Sequence, residues 1–193
     1  MPPVIYHLIG TPAAGKYTIG KLVAEATGAR FIDNHSIANV IFNVIGTDGV
    51  TPLPEGIWTP VGKVRAAVLE TVVQLAPAHL SFVFTNYLRG EDPAEDRMFQ
   101  QMVELAATRA SVFIPVLLRC ETSELKERAA SESRVARMKL IDPLAIAQMN
   151  DDTPLFETSH PNVLKLDTTK RSPADSARLI VEWGASRRLE SPA

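Results

Sequence analysis

A glycine-bounded run, Gly10-Thr11-Pro12-Ala13-Ala14-Gly15-Lys16-Tyr17-Thr18, carries the clearest chemistry in this 193-residue chain. An apolar stretch, Val4-Ile5-Tyr6-His7-Leu8-Ile9, precedes it, and a helical pattern from Ile19 to Ala26 follows. Strand, glycine-bounded loop, Gly-Lys and helix, in that order, make a phosphate-binding loop in its required context. The glycines allow a curl in which the N–H groups from Gly10 through Ala13, Ala14 and Gly15 turn inward. The helix adds its positive N-terminus. Lys16 then reaches the β- and γ-phosphates of a nucleotide as a mobile point charge. A tight strand-to-helix turn that merely ends in lysine explains less, since strand, loop and helix agree with one another.

One position departs from the usual form. The residue after the lysine is ordinarily Ser or Thr, whose short hydroxyl ligates Mg²⁺. Here it is Tyr17, with its hydroxyl at the far end of a ring. Thr18 comes one residue later, where a hydroxyl on the first helical turn still touches a phosphate. The expectation is ATP with Mg²⁺, the metal held by the nucleotide, water and a carboxylate elsewhere.

The elements that must position this loop are legible as an alternation. Five apolar runs, 4–9, 30–33, 81–85, 112–118 and 163–166, are nearly continuous rather than in-out patterned, as parallel strands covered on both faces are. Helical spacing recurs between them, in Ile37, Val40, Ile41 and Val44, and in Val64, Val68, Val72 and Leu75. Asp92-Pro93 opens a helix that runs to about Arg109, and residues 123–130, 143–150 and 173–189 supply three more. This alternation predicts an α/β fold with a parallel sheet and right-handed crossovers. The predicted organisation is a single domain over 1–185 with a flexible tail, 186–193.

Two long segments interrupt the alternation. Residues 46–60 are rich in Gly and Pro and contain Trp58; residues 131–142 are basic, with Arg134, Arg137 and Lys139. Loops of this length in a compact domain are commonly functional, and both fall where loops overhang the carboxyl ends of the strands.

Composition sets outer limits. A formal net charge of −2, without a basic excess, argues against a dedicated nucleic-acid binder. The single cysteine, Cys120, excludes an internal disulfide and a cysteine-rich zinc site, and its apolar setting suits a small core residue. No stretch is long and apolar enough to span a membrane, and Met1-Pro2-Pro3 does not open a signal peptide, so a cytoplasmic protein without membrane partners is expected.

These residues resemble the small P-loop kinases, the group of shikimate kinases and nucleoside monophosphate kinases. The resemblance spans nearly the whole chain but is specific at four places. The first is the loop ending in Lys16-Tyr17-Thr18, because nucleoside monophosphate kinases also place a non-hydroxyl residue between lysine and threonine. The second is Phe31-Ile32-Asp33, an acid ending the second strand, much like the substrate carboxylate of shikimate kinases. The third is Arg128…Arg134…Lys139-Leu140-Ile141-Asp142-Pro143, which looks like an arginine-bearing lid. The last is Leu166-Asp167-Thr168-Thr169, similar to the loop along the adenine. The resemblance implies a three-layer P-loop NTPase fold, a five-stranded sheet in order 2-3-1-4-5, and a small lid. It implies ATP-dependent phosphoryl transfer to a hydroxyl or phosphate of a small molecule.

On that reading Lys16, Asp33 and Arg134 are the catalytic residues. Arg128 and Thr168 join residues 10–18 around the nucleotide, and Thr18 and Asp33 serve the metal. Asp33 orients the acceptor hydroxyl; its alternative is a plain helix N-cap. His35 either reads the acceptor or packs on the helix start. Arg65 grips the acceptor or is an exposed helix residue. Asn86 takes a polar role beside the γ-phosphate, while Arg137 shares a face with Arg134 in the lid. Trp58 stacks on a planar substrate or plugs the insertion onto the core.

Departures narrow the acceptor. His35 stands where shikimate kinases carry a second acid, and Phe84-Thr85-Asn86-Tyr87 replaces a glycine-rich stretch. No aspartate ends the third strand, and shikimate itself is disfavoured. The alternatives are a nucleoside or nucleotide kinase and a nucleotide-binding ATPase or switch. Switches usually keep Ser or Thr after the lysine. A monomer and a homodimer are both compatible with the sequence.

Overall fold

The computed structural model describes residues 1–129, 131, 134 and 139–190. Five strands, β1 (Val4–Ile9), β2 (Arg30–Ile32), β3 (Phe82–Asn86), β4 (Val112–Arg119) and β5 (Leu164–Asp167), pair in parallel in the order β2-β3-β1-β4-β5. The order predicted through the family resemblance is therefore the order observed. Along β4, Val112, Ile114, Val116 and Leu118 enter one core while Phe113 and Leu117 enter the other. That two-sided burial is why the strands read as continuous apolar runs.

Helices cover both faces. On one lie α1 (Lys16–Thr27) and the C-terminal α7 (Pro173–Glu190), whose Ile19, Val23, Ala177 and Ile180 share a core with Val4, Tyr6 and Leu8. On the other lie α3 (Trp58–Gln74) and α4 (Pro93–Thr108), whose Val72, Phe99, Met102 and Leu105 meet Ile5, Ile9 and Phe84. Each fully buried Leu or Ile among these stabilises the fold by about 2 kcal/mol. Of the remaining described helices, α2 (Asn34–Ile45) and α5 (Thr122–Ala129) follow the carboxyl ends of β2 and β4, and α6 (Pro143–Asp151) packs on α5. Asp92 and Asp142 cap α4 and α6 immediately before proline, at Ala94 N and at Leu144 N, both from Oδ1.

Three boundaries differ from expectation. The helix expected around Val64 already begins at Trp58, so the Gly/Pro-rich connection is shorter than 46–60. The side chains that fold it back are Ile57 and Val61, which form a satellite core with Ala38 and Phe42 of α2. At the C-terminus, residues 186–190, expected to fray, continue α7. Arg187 lies over the Trp183 ring at 4.1 Å and Arg188 Nε donates to the Pro2 carbonyl at 2.9 Å, which ties that last turn down. Finally, the second strand stops at Ile32, and Asp33 is released to start α2.

Candidate active site

The carboxyl ends of β1, β2 and β3 open onto a cavity of about 700 Å³, lined from the β1–α1 loop to the insertion and the lid. The loop is built as predicted. Gly15 takes φ +92° and Ala13 φ +71°, so two near-neighbours adopt left-handed backbone, one of them at a Cβ cost of about 1 kcal/mol. Gly10 has no room for a side chain, because a Cβ there would meet the Leu118 carbonyl oxygen at 2.7 Å. Lys16 folds over its own loop, donating from Nζ to the carbonyls of Gly10 (2.6 Å) and Thr11 (2.8 Å). Burial first, then the Lys139 and Arg134 cations, push its ammonium down to about 7, against the pull of Asp33.

Asp33 is buried and its side chain makes no capping bond, which removes its bland alternative. The turn into α2 is closed by its backbone instead, whose carbonyl accepts from Ser36 N–H (2.9 Å) and Ser36 Oγ (2.6 Å). The carboxylate is held by Thr85, which donates to Oδ1 at 2.7 Å, and by Lys139, whose Nζ lies 3.4 Å from Oδ2. The same Nζ sits 4.6 Å from the centre of the Tyr17 ring, and that ring packs edge-on against Phe31 at 5.3 Å. Tyr17 thus places a π-face, rather than a short hydroxyl, beside the phosphate loop, and a lid ammonium occupies it. Sequence reasoning gave Thr85 no role and placed Lys139 in the basic segment without naming its partner. A charge in a basic run does not name its partner, and a threonine at a strand end has many.

The described end of the basic segment meets the insertion at Lys139. Gly49, at φ +79°, presses on the Lys139 carbonyl so closely that a Cβ would lie 2.5 Å from its oxygen. Ile141 N–H donates to the Gly49 carbonyl at 3.2 Å. Arg134 lines the cavity and braces the same turn through the Leu140 carbonyl, to which Nε and Nη2 both donate. Arg137 lies outside the described residues.

At the opposite end, Arg128 donates to the carbonyls of Thr168 (2.8 Å) and Thr169 (3.2 Å) and pairs with Glu124 at 2.8 Å. Thr168 is buried, and its hydroxyl bridges the carbonyls of Ala14 (3.2 Å) and Arg119 (3.1 Å). It lines the cavity while bracing the phosphate loop from behind, a second use the sequence did not suggest. Thr18 is exposed to the cavity.

His35 also lines the cavity, and burial, then Lys139, bring it down to about 4, so it is neutral at pH 7. Its Nδ1 is buried without a hydrogen-bond partner.

Arg65 and Asn86 stand elsewhere. Neither lines the cavity; both border a small void behind α2, with Ile32, Ile37 and Met102. Arg65 can only donate, which fixes the Asn86 amide with its oxygen toward Nη1 (3.0 Å) and its nitrogen toward His7 Nε2 (2.9 Å). His7 is fully buried, and burial brings it down to about 3, so it accepts as a neutral ring. The two residues expected to touch the acceptor or the γ-phosphate therefore face each other and His7 in a polar cluster between α3 and β3. Trp58 is 59% exposed and lines the cavity mouth, with its ring 6.1 Å from Phe42, so it is no simple plug.

A magnesium ion bound to a nucleotide needs one or two protein oxygens and keeps several waters. Thr18 and Asp33 supply a hydroxyl and a carboxylate facing the same cavity, which fits that limited role. Among the described residues no cluster of three or more His, Cys, Asp or Glu would hold a metal by itself.

No protein-family model matches the sequence, and no curated protein matches it. Solved structures do share the architecture. A candidate kinase from Chloroflexus aurantiacus j-10-fl aligns over 99% of this chain and 98% of its own, with TM-score 0.71 and 19% identity. The chain has the fold of the P-loop small-molecule kinases. A gluconokinase from Sinorhizobium meliloti 1021 aligns over 99% and 98% of the two chains, with TM-score 0.62 and 18% identity. A shikimate kinase from Acinetobacter baumannii, in complex with shikimate, aligns over 98% and 96%, with TM-score 0.55 and 20% identity. Among the described residues no helix is long and apolar enough to cross a membrane.

Proposed function

We propose that this protein transfers the γ-phosphoryl group of ATP to a hydroxyl of a small acceptor molecule. The observation that carries the reading is that Lys16 and Asp33 face one cavity from two strand ends. Asp33 is free of side-chain capping duty, and the same cavity continues from it to α2 and the insertion. The kinase fold supports the same reading.

The loop N–H groups and Lys16 would take the β- and γ-phosphates, with the lid's Arg134 neutralising charge on the transferred group. Arg128 and the β5 loop would flank the nucleotide base. The acceptor oxygen attacks phosphorus as the bridging P–O bond breaks. ADP leaves with that bond's electrons, and the acceptor's proton passes to an Asp33 oxygen. Mg²⁺, when bound with the nucleotide near Thr18 and Asp33, would supply further neutralisation at the leaving oxygen.

Lys139 gives the cycle a latch. Its Nζ lies 3.4 Å from Asp33 Oδ2, so an acceptor hydroxyl would displace or share it to reach that oxygen. Acceptor-dependent release of ADP, lost in Lys16→Ala while the fold is retained, tests the reading. Hydrolysis at the same rate without any acceptor would favour an ATPase instead.

A further inference from the structure

The part of the cavity wall formed by α2 and the insertion is apolar where a sugar would need hydrogen-bonding partners and a hydroxy acid a cation. Ala38, Phe42, Val50, Pro52, Leu53 and Trp58 form it. Several are left open to solvent: Trp58 is 59% exposed, Val50 58% and Leu53 37%. Large apolar side chains clustered at the mouth of a concave site mark a ligand surface. Phe42 and Trp58 meet edge-on and present a wall of two rings.

The cations of the cavity serve other places. Lys16 folds over the phosphate loop, Lys139 reaches Asp33, and Arg134 donates to the Leu140 carbonyl. Arg128 donates to backbone carbonyls of the loop following β5, and Arg171 to the carbonyl of Asp167 at the end of β5. Arg65, on the helix that follows the insertion, faces Asn86 behind the sheet edge and lines no part of the cavity. None of the lysines and arginines that line the cavity comes from α2 or the insertion, which supply the apolar wall.

Two neutral polar atoms are left for the ligand. His35 Nδ1 and Thr47 Oγ1 are buried without hydrogen-bond partners, and both residues line the cavity. An orphaned buried polar atom costs about 1–3 kcal/mol, which a ligand hydroxyl or carbonyl recovers on binding.

Building on the kinase reading, we propose that the acceptor is a neutral alcohol with an aryl or branched-alkyl body. One hydroxyl faces Asp33, and a second polar group is within reach of His35 or Thr47. Acidic acceptors such as gluconate or shikimate should bind less well, because α2 and the insertion bring no cation to the wall against which their carboxylate would be desolvated.

The test is equilibrium binding by the full chain with AMP-PNP present, read by saturation-transfer NMR and tryptophan fluorescence. The probes are phenyl- and branched-alkyl-substituted diols against gluconate and shikimate. The diols should bind at least tenfold more tightly than either acid. Trp58→Ala, at an exposed position where the fold tolerates truncation, should weaken the diols tenfold and leave AMP-PNP within twofold. Equal or tighter binding of the acids, no measurable diol binding, or diol binding untouched by Trp58→Ala would each overturn the proposal. Failure of the kinase reading looks different: the diols bind, yet ATP is hydrolysed at one rate with or without them.

Discussion

Raising the pH should weaken nucleotide binding through one group, Lys16. In the free protein its ammonium is brought down from 10.5 to about 7 by burial and by Lys139 and Arg134. A bound triphosphate reverses that balance and keeps the lysine charged. Binding is then linked to uptake of a proton, and the apparent affinity falls by the factor 1 + 10^(pH − 7). That is about 2-fold at pH 7, about 11-fold at pH 8 and about 100-fold at pH 9. At pH 8 the uptake is about 0.9 proton per nucleotide. The sign for folding is the opposite of the usual lysine case. Between about 7 and 10.5 the unfolded chain carries the proton and the folded protein does not. Stability of the free protein therefore rises with pH across that window and is lowest below it. The assay is titration calorimetry with AMP-PNP at pH 8, in buffers of different ionisation enthalpy. Lys139→Met removes one of the depressing cations and should move the inflection to higher pH. No proton uptake at pH 8, with the same affinity at pH 7 and pH 9, would refute the reasoning.

Four further outcomes follow from the same geometry. Asp33→Asn should lower kcat at least about 100-fold while leaving the KM for ATP within about threefold, and an unchanged kcat would return Asp33 to a structural role. Lys139→Met leaves the Asp33 carboxylate buried without its cation; urea unfolding should show a loss of about 3 kcal/mol, restored in part by the double change with Asp33→Asn, whereas a loss below about 1 kcal/mol contradicts a buried pair. Gly49→Ala should cost about 1–2 kcal/mol and raise the acceptor KM without moving the ATP KM, because φ +79° and the Lys139 carbonyl both oppose a Cβ. Thr168→Val should weaken ATP binding by loosening the phosphate loop at Ala14, and an unaffected ATP KM would deny that bracing.

The sheet and its loop were readable because their signals are local. Five apolar blocks, a Gly-Lys pair and proline-preceded caps each act over a few residues, and β4 shows why the blocks look continuous. Positions that depend on what the chain meets in space were not readable. Arg65 was placed at the acceptor by its position along the chain. Its side chain instead reaches the Asn86 amide on β3, a partner that only the fold supplies. Lys139 looked like one charge in a basic run, and only the fold brings it between Asp33 and Tyr17. Tyr17 read as a defect in a metal site. In three dimensions it is a platform for an ammonium.

The central claim is phosphoryl transfer to an acceptor hydroxyl at the Lys16–Asp33 cavity, and phosphorus NMR of the purified protein with ATP, Mg²⁺ and the acceptor panel tests it most directly. The predicted result is a new phosphate-monoester resonance that grows with ADP in equal amounts and is absent in Lys16→Ala. ADP accompanied only by inorganic phosphate, at a rate indifferent to every acceptor, would contradict it.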